Sequence, residues 1–570
     1  MRKQLRPAIA AVVALGSVLA IAACGSSSTN TSSGGTGTSG AAAPATSGKS
    51  GGTVTLLMGT APQSLDPGMD YTTQGAEDTW ISYLGLLTYK HANGIAGGQV
   101  IPGLATGLPK ISDGGKTYTL TLRKGLTFSN GKPVKASDFT YTVERAIKIP
   151  WGGSGLFITP NIAGATAYAN GKAKTISGIT TNDGTGQITI HLTNAYGPFA
   201  NILAFPSLGL VPTGTPFKNL ANNPPPGVGP YMTTNVVPNQ SFEATQNPAW
   251  AKMNIPGIPA GHVKTIQVKI DSNVSSNALS VLNNSADVFD WADTIPGSLL
   301  AQIKAKAGSR FKLVDLGGST YYIFFNSQNA PFNNQLAREA VVTGLNENAM
   351  NRLGSGTLQP ACFFLPPLIP GHPSATCPYG NPASGGNIAK AKQLVKQSGQ
   401  ANVPITVWSE TRQPRQAWMT YYTQFLKSIG FTNVTEKVIA DATYFTTIGE
   451  EKKLHPQTGF ADWNMDFPNP YDFYLLVDGH SILPTNNENF GETNDPQINS
   501  QVAKLGPTPT PQLDKVKSQW QALDEYVAKK AYLAVFGYQT FPFFTSDRIN
   551  YGAVIRSPLY GWDWTSFQLK

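Results

Sequence analysis

The sequence contains few of the residues on which most enzyme chemistry depends. Three of its 570 residues are Cys, six are His, and charged residues make up 13% of the chain. It contains no H-E-x-x-H string and no P-loop, which excludes the common zinc-peptidase and nucleotide-binding motifs. The Lys and Arg residues behind the formal net charge of +9 are scattered, without a basic stripe, so nucleic acid is not an expected partner.

Long apolar runs are also missing beyond the N-terminus, where no stretch reaches the ~20 residues that a membrane span requires. The N-terminus has a basic start followed by a nearly apolar run over 8–23, an order typical of a signal peptide. This run leads into 21–24 (IAAC), which resembles the lipobox of bacterial lipoproteins. The resemblance implies cleavage before Cys24 and lipidation of its thiol, which would anchor the protein on the outer face of the cell membrane. The alternative is a secretory signal with a chance Cys.

Residues 24–52 consist almost entirely of Gly, Ser, Thr and Ala. Such a segment cannot bury enough apolar surface to fold, so it predicts a flexible tether. Within it, 48–52 (GKSGG) matches the G-x-S-x-G pattern of hydrolases, but no strand precedes it and no helix follows it. Residues 129–132 (SNGK) fit S-x-x-K, but their Asn-Gly pair predicts a hairpin turn. If the protein is an enzyme, a secreted and anchored hydrolase is the alternative function.

Two cysteines remain if Cys24 is lipidated, Cys362 and Cys377. In an oxidising compartment such a pair predicts a disulfide. It would close a proline-rich loop and stabilise the fold by about 3 kcal/mol. His372 lies between them, but one His and two Cys do not complete a tetrahedral zinc set. Free thiols or a metal site are the alternatives, and no metal or cofactor is expected.

Local patterns predict both strands and helices. Residues 116–123 alternate Tyr and Leu with Thr, which predicts a half-buried strand, and a helix is expected from Ser137. Further along, Asn387 is placed to cap a helix that ends at Gly399, and a strand and an aromatic-rich helix follow it. This helix–strand–helix–strand order predicts a βαβ lobe.

A long block of motifs occupies the region after residue 100. Its parts are 101–105 (IPGLA), 111–120 (ISDGGKTYTL), 122–134 (LRKGLTFSNGKPV), 137–139 (SDF) and 144–146 (ERA). This block resembles the signature block of the family 5 extracellular solute-binding proteins. That family includes the oligopeptide-, dipeptide- and nickel-binding components of ABC importers.

Shorter strings follow in the order of the same family, so the resemblance covers about 52–570. They are 64–67 (SLDP), 227–231 (GVGPY), 247–250 (NPAW), 322–326 (YIFFN), 330–332 (APF) and 338–340 (REA). The sequence departs from the family at 114–115, where Gly-Gly replaces the usual Asp-Gly, and at 344–346, where the family has a longer helix. Both departures are expected to be local.

The resemblance implies an α/β fold of two lobes, the large type II periplasmic-binding-protein-like fold, with an extra subdomain in the first lobe. The lobes of such proteins close around the ligand about a hinge. The expected division is a signal peptide at 1–23, a tether at 24–52, lobe I at 53–100, 212–320 and 540–570, the extra subdomain at 101–211, and lobe II at 321–539.

The implied function is that of the extracytoplasmic binding protein of an ABC importer. It would act as a monomer that captures a peptide between its lobes and delivers it to the membrane permease. A saccharide, a nickel chelate or another small solute is the alternative ligand for the same fold. An envelope receptor or chaperone that takes no part in transport is a further alternative.

The resemblance also implies ligand-binding residues. Residues 463–466 (WNMD) match the W-x-x-D string of peptide-binding members, with Asp466 as the partner of the peptide ammonium and Trp463 as a pocket wall. The alternatives are that Asp466 caps a turn before Pro468, or that Asp462 takes the ammonium. The family's other cleft-facing segments add six weaker candidates: Asp70, Tyr71, Trp408, Ser409, Arg412 and Tyr538.

Overall fold

The computed structural model of the protein describes residues 49–149, 151–440, 443–450, 453–484 and 487–570. The predicted signal peptide, Cys24 and most of the predicted tether lie outside these residues. All of the described residues belong to a single compact unit. None of the helices in the described ranges has the length and hydropathy needed to cross a membrane.

Twenty strands are assigned within the described residues. They are β1 (Thr53–Met58), β2 (Leu87–Tyr89), β3 (Val100–Pro102), β4 (Lys110–Ser112), β5 (Thr117–Thr121), β6 (Ile179–Asn182), β7 (Gln187–His191), β8 (Tyr231–Val237), β9 (Ser241–Gln246), β10 (Thr265–Ile270), β11 (Val288–Phe289), β12 (Phe311–Asp315), β13 (Ser319–Phe325), β14 (Leu358–Gln359), β15 (Ile405–Glu410), β16 (Val434–Ile439), β17 (Thr458–Asn464), β18 (Leu533–Phe544), β19 (Arg556–Ser557) and β20 (Gly561–Trp562).

Fourteen α-helices accompany these strands in the same described ranges. They are α1 (Thr73–Ser82), α2 (Ser137–Lys148), α3 (Ala165–Ala169), α4 (Phe199–Ile202), α5 (Val274–Leu282), α6 (Gly297–Ala307), α7 (Gln335–Gly344), α8 (Glu347–Leu353), α9 (Ile388–Ser398), α10 (Arg415–Ile429), α11 (Tyr444–Ile448), α12 (Pro470–Tyr474), α13 (Pro496–Leu505) and α14 (Lys517–Lys529).

Helix ends follow the local sequence. Helices α7, α8 and α9 begin after Asn334, Asn346 and Asn387, and each of these side chains accepts a backbone N–H of the first turn. Such caps satisfy donors that have no partner within the helix. Helices α9 and α10 end at Gly399 and Gly430, both in the left-handed conformation that glycine adopts without steric cost. The predicted cap at Asn387 and the predicted stop at Gly399 are confirmed.

The first part of the fold is built on a five-stranded sheet of order β11-β1-β10-β9-β8. Strand β1 runs parallel to both β10 and β11, whereas β9 pairs antiparallel with β8 and β10. Val54, Leu56, Ile266 and Val268 are fully buried in this sheet. A second, four-stranded sheet of order β4-β5-β7-β6 lies in the same half of the molecule.

Strand β5 of the four-stranded sheet confirms the predicted alternation. Tyr118 and Leu120 are buried and lie opposite Ile190 and Ile188 of β7, while the Thr side chains between them are more exposed. Side chains in a strand point alternately to the two faces, so one face of β5 packs in the core. The helix predicted from Ser137 is α2, with its apolar side buried.

A mixed sheet forms the second part of the fold, with strand order β12-β18-β13-β17-β15-β16 and β14 paired to β18. Strands β15 and β16 are parallel, and α10 connects them and packs against both. This is the predicted βαβ unit. We call the region around the five- and four-stranded sheets the first lobe, and the region around β13, β17, β15 and β16 the second lobe.

Strand β18 belongs to both lobes. Leu533 to Tyr538 pack in the apolar core of the second lobe, whereas Phe543 packs in the core of the first. Before β13, Leu316 packs with the first lobe and Tyr321 with the second, so a second stretch of described chain passes between the lobes at this point. The division of the chain at 101, 212, 321 and 540 stays a prediction.

Two further features stabilise the lobes. In the first lobe, Arg145 donates to both carboxylate oxygens of Asp66 at 2.8 and 2.5 Å, and both side chains are almost fully buried. In the second lobe, a disulfide joins Cys362 and Cys377, whose Cα atoms lie 5.9 Å apart. The bond closes the proline-rich loop between β14 and α9, and His372 in that loop hydrogen-bonds the Leu365 carbonyl through Nδ1.

Candidate ligand-binding cleft

Two adjoining cavities lie between the lobes. The larger, of about 440 Å³, we call the polar cavity, and it is lined by Gln74, Trp291, Arg412, Asn464 and Gln539 among others. The smaller, of about 410 Å³, we call the acidic cavity, and the carboxyl groups that line it belong to Asp70, Asp462, Asp466 and Glu488. Thr73, Asn464, Met465 and Leu559 line both cavities, so the two are compartments of one cleft.

The end of strand β17 positions Asp466. The strand stops at Asn464, the Met465 amide donates to the Gly318 carbonyl at 2.8 Å, and the Asp466 amide donates to Oδ2 of Asp472 at 2.9 Å. These bonds turn the chain out of the sheet before α12. As a result, the carboxyl group of Asp466 lines the acidic cavity. The capping role near Pro468 belongs instead to Asn469, whose side chain accepts the Tyr471 amide at the start of α12.

Asp466 contacts the first lobe directly. The Tyr71 hydroxyl donates to Oδ2 of Asp466 across 2.8 Å. Aromatic contacts bring the lobes together nearby, with Phe467 packing edge-on against Phe157 at a centroid distance of 5.7 Å. The lobes therefore meet beside the acidic cavity, and the hydrogen bond from Tyr71 links the two walls of the cleft.

The acidic cavity raises the pKa values of its carboxyl groups. Burial raises the pKa of Asp466 to about 7, although the hydrogen bond from Tyr71 opposes this. Burial and then the negative charge of Asp466 raise the pKa of Glu488 to about 7. Burial also raises the pKa of Asp70 to about 7, against hydrogen bonds from Thr72. A nearby positive charge would favour the ionised form of each group.

Among the described residues, no Lys or Arg side chain forms an ion pair with Asp70, Asp466 or Glu488. Asp462 differs, because Arg415 donates to its Oδ2 at 2.6 Å and to Oε1 of Glu410 at 2.8 Å. Burial raises the pKa of Asp462, and the charge of Arg415 opposes this. Since Asp462 already has a cationic partner, Asp466 is the better placed of the two to bind a ligand cation.

The polar cavity has a different character. Arg412 lines it with about half of its side chain exposed, and its Nη2 lies 3.3 Å from Oε1 of Glu410. Trp291 forms a wall, and its indole N–H donates to Oε1 of the buried Glu77 at 2.6 Å. Gln74 and Gln539 add amide groups to the lining. This compartment therefore offers both donors and acceptors, together with the cationic side chains of Arg412 and Arg415.

The structure brings together Asp70, Tyr71, Trp463 and Asp466 in the acidic cavity and places Arg412 in the polar cavity. The other three predicted residues are absent from the described lining of both cavities. Trp408 and Ser409 lie in β15, which is covered by helices, and the ammonium of Lys437 sits 4.2 Å above the Trp408 ring. The Tyr538 hydroxyl instead donates to the Phe363 carbonyl at 2.9 Å, under the disulfide loop.

Several cleft residues were not identified from the sequence. Glu488 and Tyr560 line the acidic cavity, and Trp291 lines the polar cavity. None of them belongs to a motif, and each reaches the cleft through packing between distant segments. Arg415 was also missed, although a basic residue three positions after Arg412 and close to Glu410 was a usable signal for an ion pair.

A protein-family comparison matches residues 99–482, more than half of the chain, to the middle part of the bacterial extracellular solute-binding proteins, family 5. The chain is 25% identical over 474 residues to the oligopeptide-binding protein OppA of Lactococcus lactis, a match covering 74% of each protein. It is 24% identical over 498 residues to the probable D,D-dipeptide-binding periplasmic protein DdpA of Escherichia coli K12, covering 84% of this chain and 88% of that protein.

Another relative is the probable deoxycholate-binding periplasmic protein YgiS of Escherichia coli K12, 27% identical over 318 residues. That match covers 53% of this chain and 56% of the relative, so the chain spans little more than half the length of that protein. Some of these relatives are therefore named for binding peptides, and one is named for binding deoxycholate.

Solved structures establish the fold. The structure of clavulanic acid biosynthesis oligopeptide binding protein 2 superposes with a TM-score of 0.82 at 22% identity, covering 91% of this chain and 96% of that one. The OppA of Haemophilus influenzae in complex with RPPGFSPFR superposes with a TM-score of 0.67 at 18% identity, covering 92% and 100%. The predicted fold class, the large two-lobed α/β binding-protein fold of type II, is confirmed.

Proposed function

Because the chain belongs to family 5 of the bacterial extracellular solute-binding proteins, which serve transport and are not enzymes, we propose that it captures peptides for an ABC importer. The peptide would lie between the lobes and be delivered to the membrane permease by the monomeric protein. The observation that carries this proposal is the acidic cavity between the lobes, where Asp466 has no cationic partner among the described residues.

The free N-terminus of a peptide supplies the missing cation. An α-ammonium removed from water needs a charged or polar partner, because an unpaired buried charge is costly. In our proposal Asp466 accepts this ammonium in a charge-assisted hydrogen bond, and the Trp463 side chain forms the adjoining wall. Asp70 and Tyr71 face the same end of the peptide from the first lobe. Arg412 would face a more distant part of the ligand in the polar cavity.

The charge of the acidic cavity favours an amine over an anionic ligand. A deoxycholate-like carboxylate placed there would meet Asp70, Asp466 and Glu488 without a compensating cation in the described lining. Like charges brought together in a poorly solvated site repel strongly. Relatives named for oligopeptide and dipeptide binding therefore offer the better guide to the ligand.

We further propose that the protein acts at the outer face of the cell membrane, anchored through lipid on Cys24. The support is the IAAC string after a signal-like segment, which lies outside the described residues. Two or more acyl chains provide stable anchoring, whereas one binds only marginally. The Gly- and Ser-rich segment that follows would let the binding protein move between solution and the permease while staying attached.

Mass spectrometry of the ligand released from protein purified out of its own cells tests the proposed function. We expect peptides with free N-termini, and we expect cells that lack the protein to lose uptake of the same peptides. Release of a saccharide, a bile acid or a metal chelate, with peptide uptake unchanged in the deletion strain, would contradict the proposal.

A further inference from the structure

The acidic cavity carries more negative charge than a single ligand ammonium can balance. Asp70, Asp462, Asp466 and Glu488 line it, and its described lining contains no Lys, Arg or His. Arg415 balances Asp462 from the second lobe at 2.6 Å. Three carboxyl groups then remain for one α-ammonium, which leaves room for a second cationic group of the ligand.

An unpaired polar group of the same cavity provides an independent observation. Tyr560 lines the cavity and is only 5% exposed, and its buried hydroxyl has no hydrogen-bond partner among the described residues. The Trp463 indole, in the facing wall, lies instead beside the buried Asp472, whose pKa is raised by burial and lowered by the hydrogen bond from Trp463. Buried polar groups in folded proteins are nearly always hydrogen-bonded. The unpartnered Tyr560 hydroxyl in this cavity indicates that a polar ligand completes the site.

Asp466 and Glu488 are the carboxyl groups best placed to share the two charges. Both side chains line the acidic cavity, and burial and then the charge of Asp466 raise the pKa of Glu488, so the two groups interact. Two neighbouring carboxylates ionise together readily only when positive charge is close to both. Asp70 is less suited to this role, because it is only 3% exposed.

The wall beside Glu488 suits a long basic side chain. Phe445 and Phe490 line the cavity with it, and their ring centroids lie 5.9 Å apart. Lys and Arg side chains bury their methylene stems along apolar surfaces and keep the charged end at a polar group. Aromatic faces also attract cations directly. The Glu488 side chain is exposed to solvent, so a flexible side chain of the ligand can approach it.

Resting on the proposed function, we infer that this site selects peptides whose first residue is Lys or Arg. The α-ammonium pairs with Asp466, and the cationic end of the first side chain pairs with Glu488 after passing along Phe445 and Phe490. The preferred ligand therefore brings two positive charges into the acidic cavity.

Calorimetry with two matched tripeptides tests this inference. Lys-Ala-Ala carries both charges, whereas norleucine-Ala-Ala keeps the length of the first side chain and lacks its amine. We expect the full-length protein to bind the Lys peptide at least about tenfold more tightly. In the Glu488→Gln variant the ratio of the two affinities should fall to within about twofold, which isolates the coupling between Glu488 and the side-chain amine. Asp514→Asn, which removes an exposed carboxylate outside the described cleft lining, serves as the matched control and should change neither affinity.

Equal affinity for the two peptides would overturn the inference, as would a Lys advantage that survives Glu488→Gln. If both peptides bind equally and both are lost on N-acetylation, peptide capture stands and only the basic preference fails. If neither peptide binds, the proposed function fails together with the inference. Tight binding of 1,5-diaminopentane with no binding of Lys-Ala-Ala would also overturn it, since the ligand would then be a diamine rather than a peptide.

Discussion

Tyr71 of the first lobe donates its hydroxyl hydrogen to Asp466 of the second lobe, at an oxygen–oxygen distance of 2.8 Å. The same carboxylate is the proposed partner of the ligand ammonium. A bound peptide must therefore share Asp466 with Tyr71 or displace it. This hydrogen bond therefore links closure of the lobes to whether the Asp466 carboxylate is occupied by a ligand.

Removing the Tyr71 hydroxyl should loosen the ligand-free closed arrangement. We expect Tyr71→Phe to shift the ligand-free protein towards more open lobes, because a hydrogen bond worth about 0.5–1.5 kcal/mol is lost from the closed form alone. Small-angle scattering would measure this as a larger radius of gyration. Tyr141→Phe is the control, because its hydroxyl bonds the Thr215 carbonyl within the first lobe. A radius unchanged by Tyr71→Phe, or increased equally by Tyr141→Phe, would contradict this role.

Buried acids should make the ligand-free protein less stable as pH rises. Burial raises the pKa values of Asp70, Asp78 and Asp524 from 3.8 to about 7. Each group binds its proton more tightly in the folded chain, so its stabilising contribution is full below 3.8 and is lost as pH rises through about 7. We expect thermal unfolding monitored by circular dichroism to give a higher Tm at about pH 5 than at about pH 8.

A variant separates this effect from other titrations. Asp78 lies fully buried beside the hydroxyl groups of Thr233 and Ser82. Asp78→Asn keeps the shape but cannot ionise, so the difference between the two Tm values should shrink. If the wild type is more stable at about pH 8, or the variant keeps the full difference, the burial argument is wrong.

The ion pair between Arg145 and Asp66 should contribute strongly to the first lobe. Both side chains are almost fully buried, and Arg145 also donates to the carbonyls of Pro216 and Lys218. Arg145→Met leaves Asp66 buried without its cation, which typically costs about 3–5 kcal/mol. Chemical denaturation of the variant measures this cost.

An exposed ion pair of the same lobe provides the comparison. Lys116 and Asp113 lie 4.0 Å apart with both side chains substantially exposed. Lys116→Met should change the free energy of unfolding by less than about 1 kcal/mol. Losses of similar size in the two variants would show that burial does not determine the contribution of the Arg145 pair.

The anchoring proposal predicts a change in where the protein is found. Cys24→Ala removes the thiol that would carry the diacylglyceryl group, so the protein should be released or left unprocessed. Detergent phase partitioning with metabolic labelling by a fatty acid measures this. Acyl chains that remain on the Cys24→Ala protein would refute the anchor.

Local sequence patterns predicted the elements that depend on neighbouring residues. The alternation in β5 and the Asn387 cap of α9 both report contacts within a few residues, and the structure has them where expected. The predicted aromatic-rich helix is α10, and its Trp418, Tyr422 and Phe425 are buried. The family resemblance supplied the order of the lobes, which no local pattern contains.

The cleft was predicted only where a motif reaches it. The WNMD string led to Trp463 and Asp466, whereas Glu488 and Tyr560 come from segments without a motif and meet the cavity through long-range packing. Ser409, in contrast, was predicted to face the ligand and does not line the cleft in the described part of the chain. It follows the predicted strand, but β15 lies between β16 and β17 and the side chain is fully buried. Helices α10 and α11 both pack against β15, so proximity to the cleft in sequence did not place the Ser409 side chain there.

Binding of a free and an N-acetylated peptide to the wild type and to Asp466→Asn, by calorimetry, tests the central claim most directly. The substitution keeps the shape and removes the charge, and loss of one partner of a desolvated pair typically costs about 2–5 kcal/mol, or roughly 30- to several-thousand-fold in affinity. We predict that loss for the free peptide. The acetylated peptide should bind the wild type weakly and lose much less, so that the four affinities show a coupling between the ammonium and Asp466. Equal losses for the two peptides would contradict the account and leave Asp466 with a structural role.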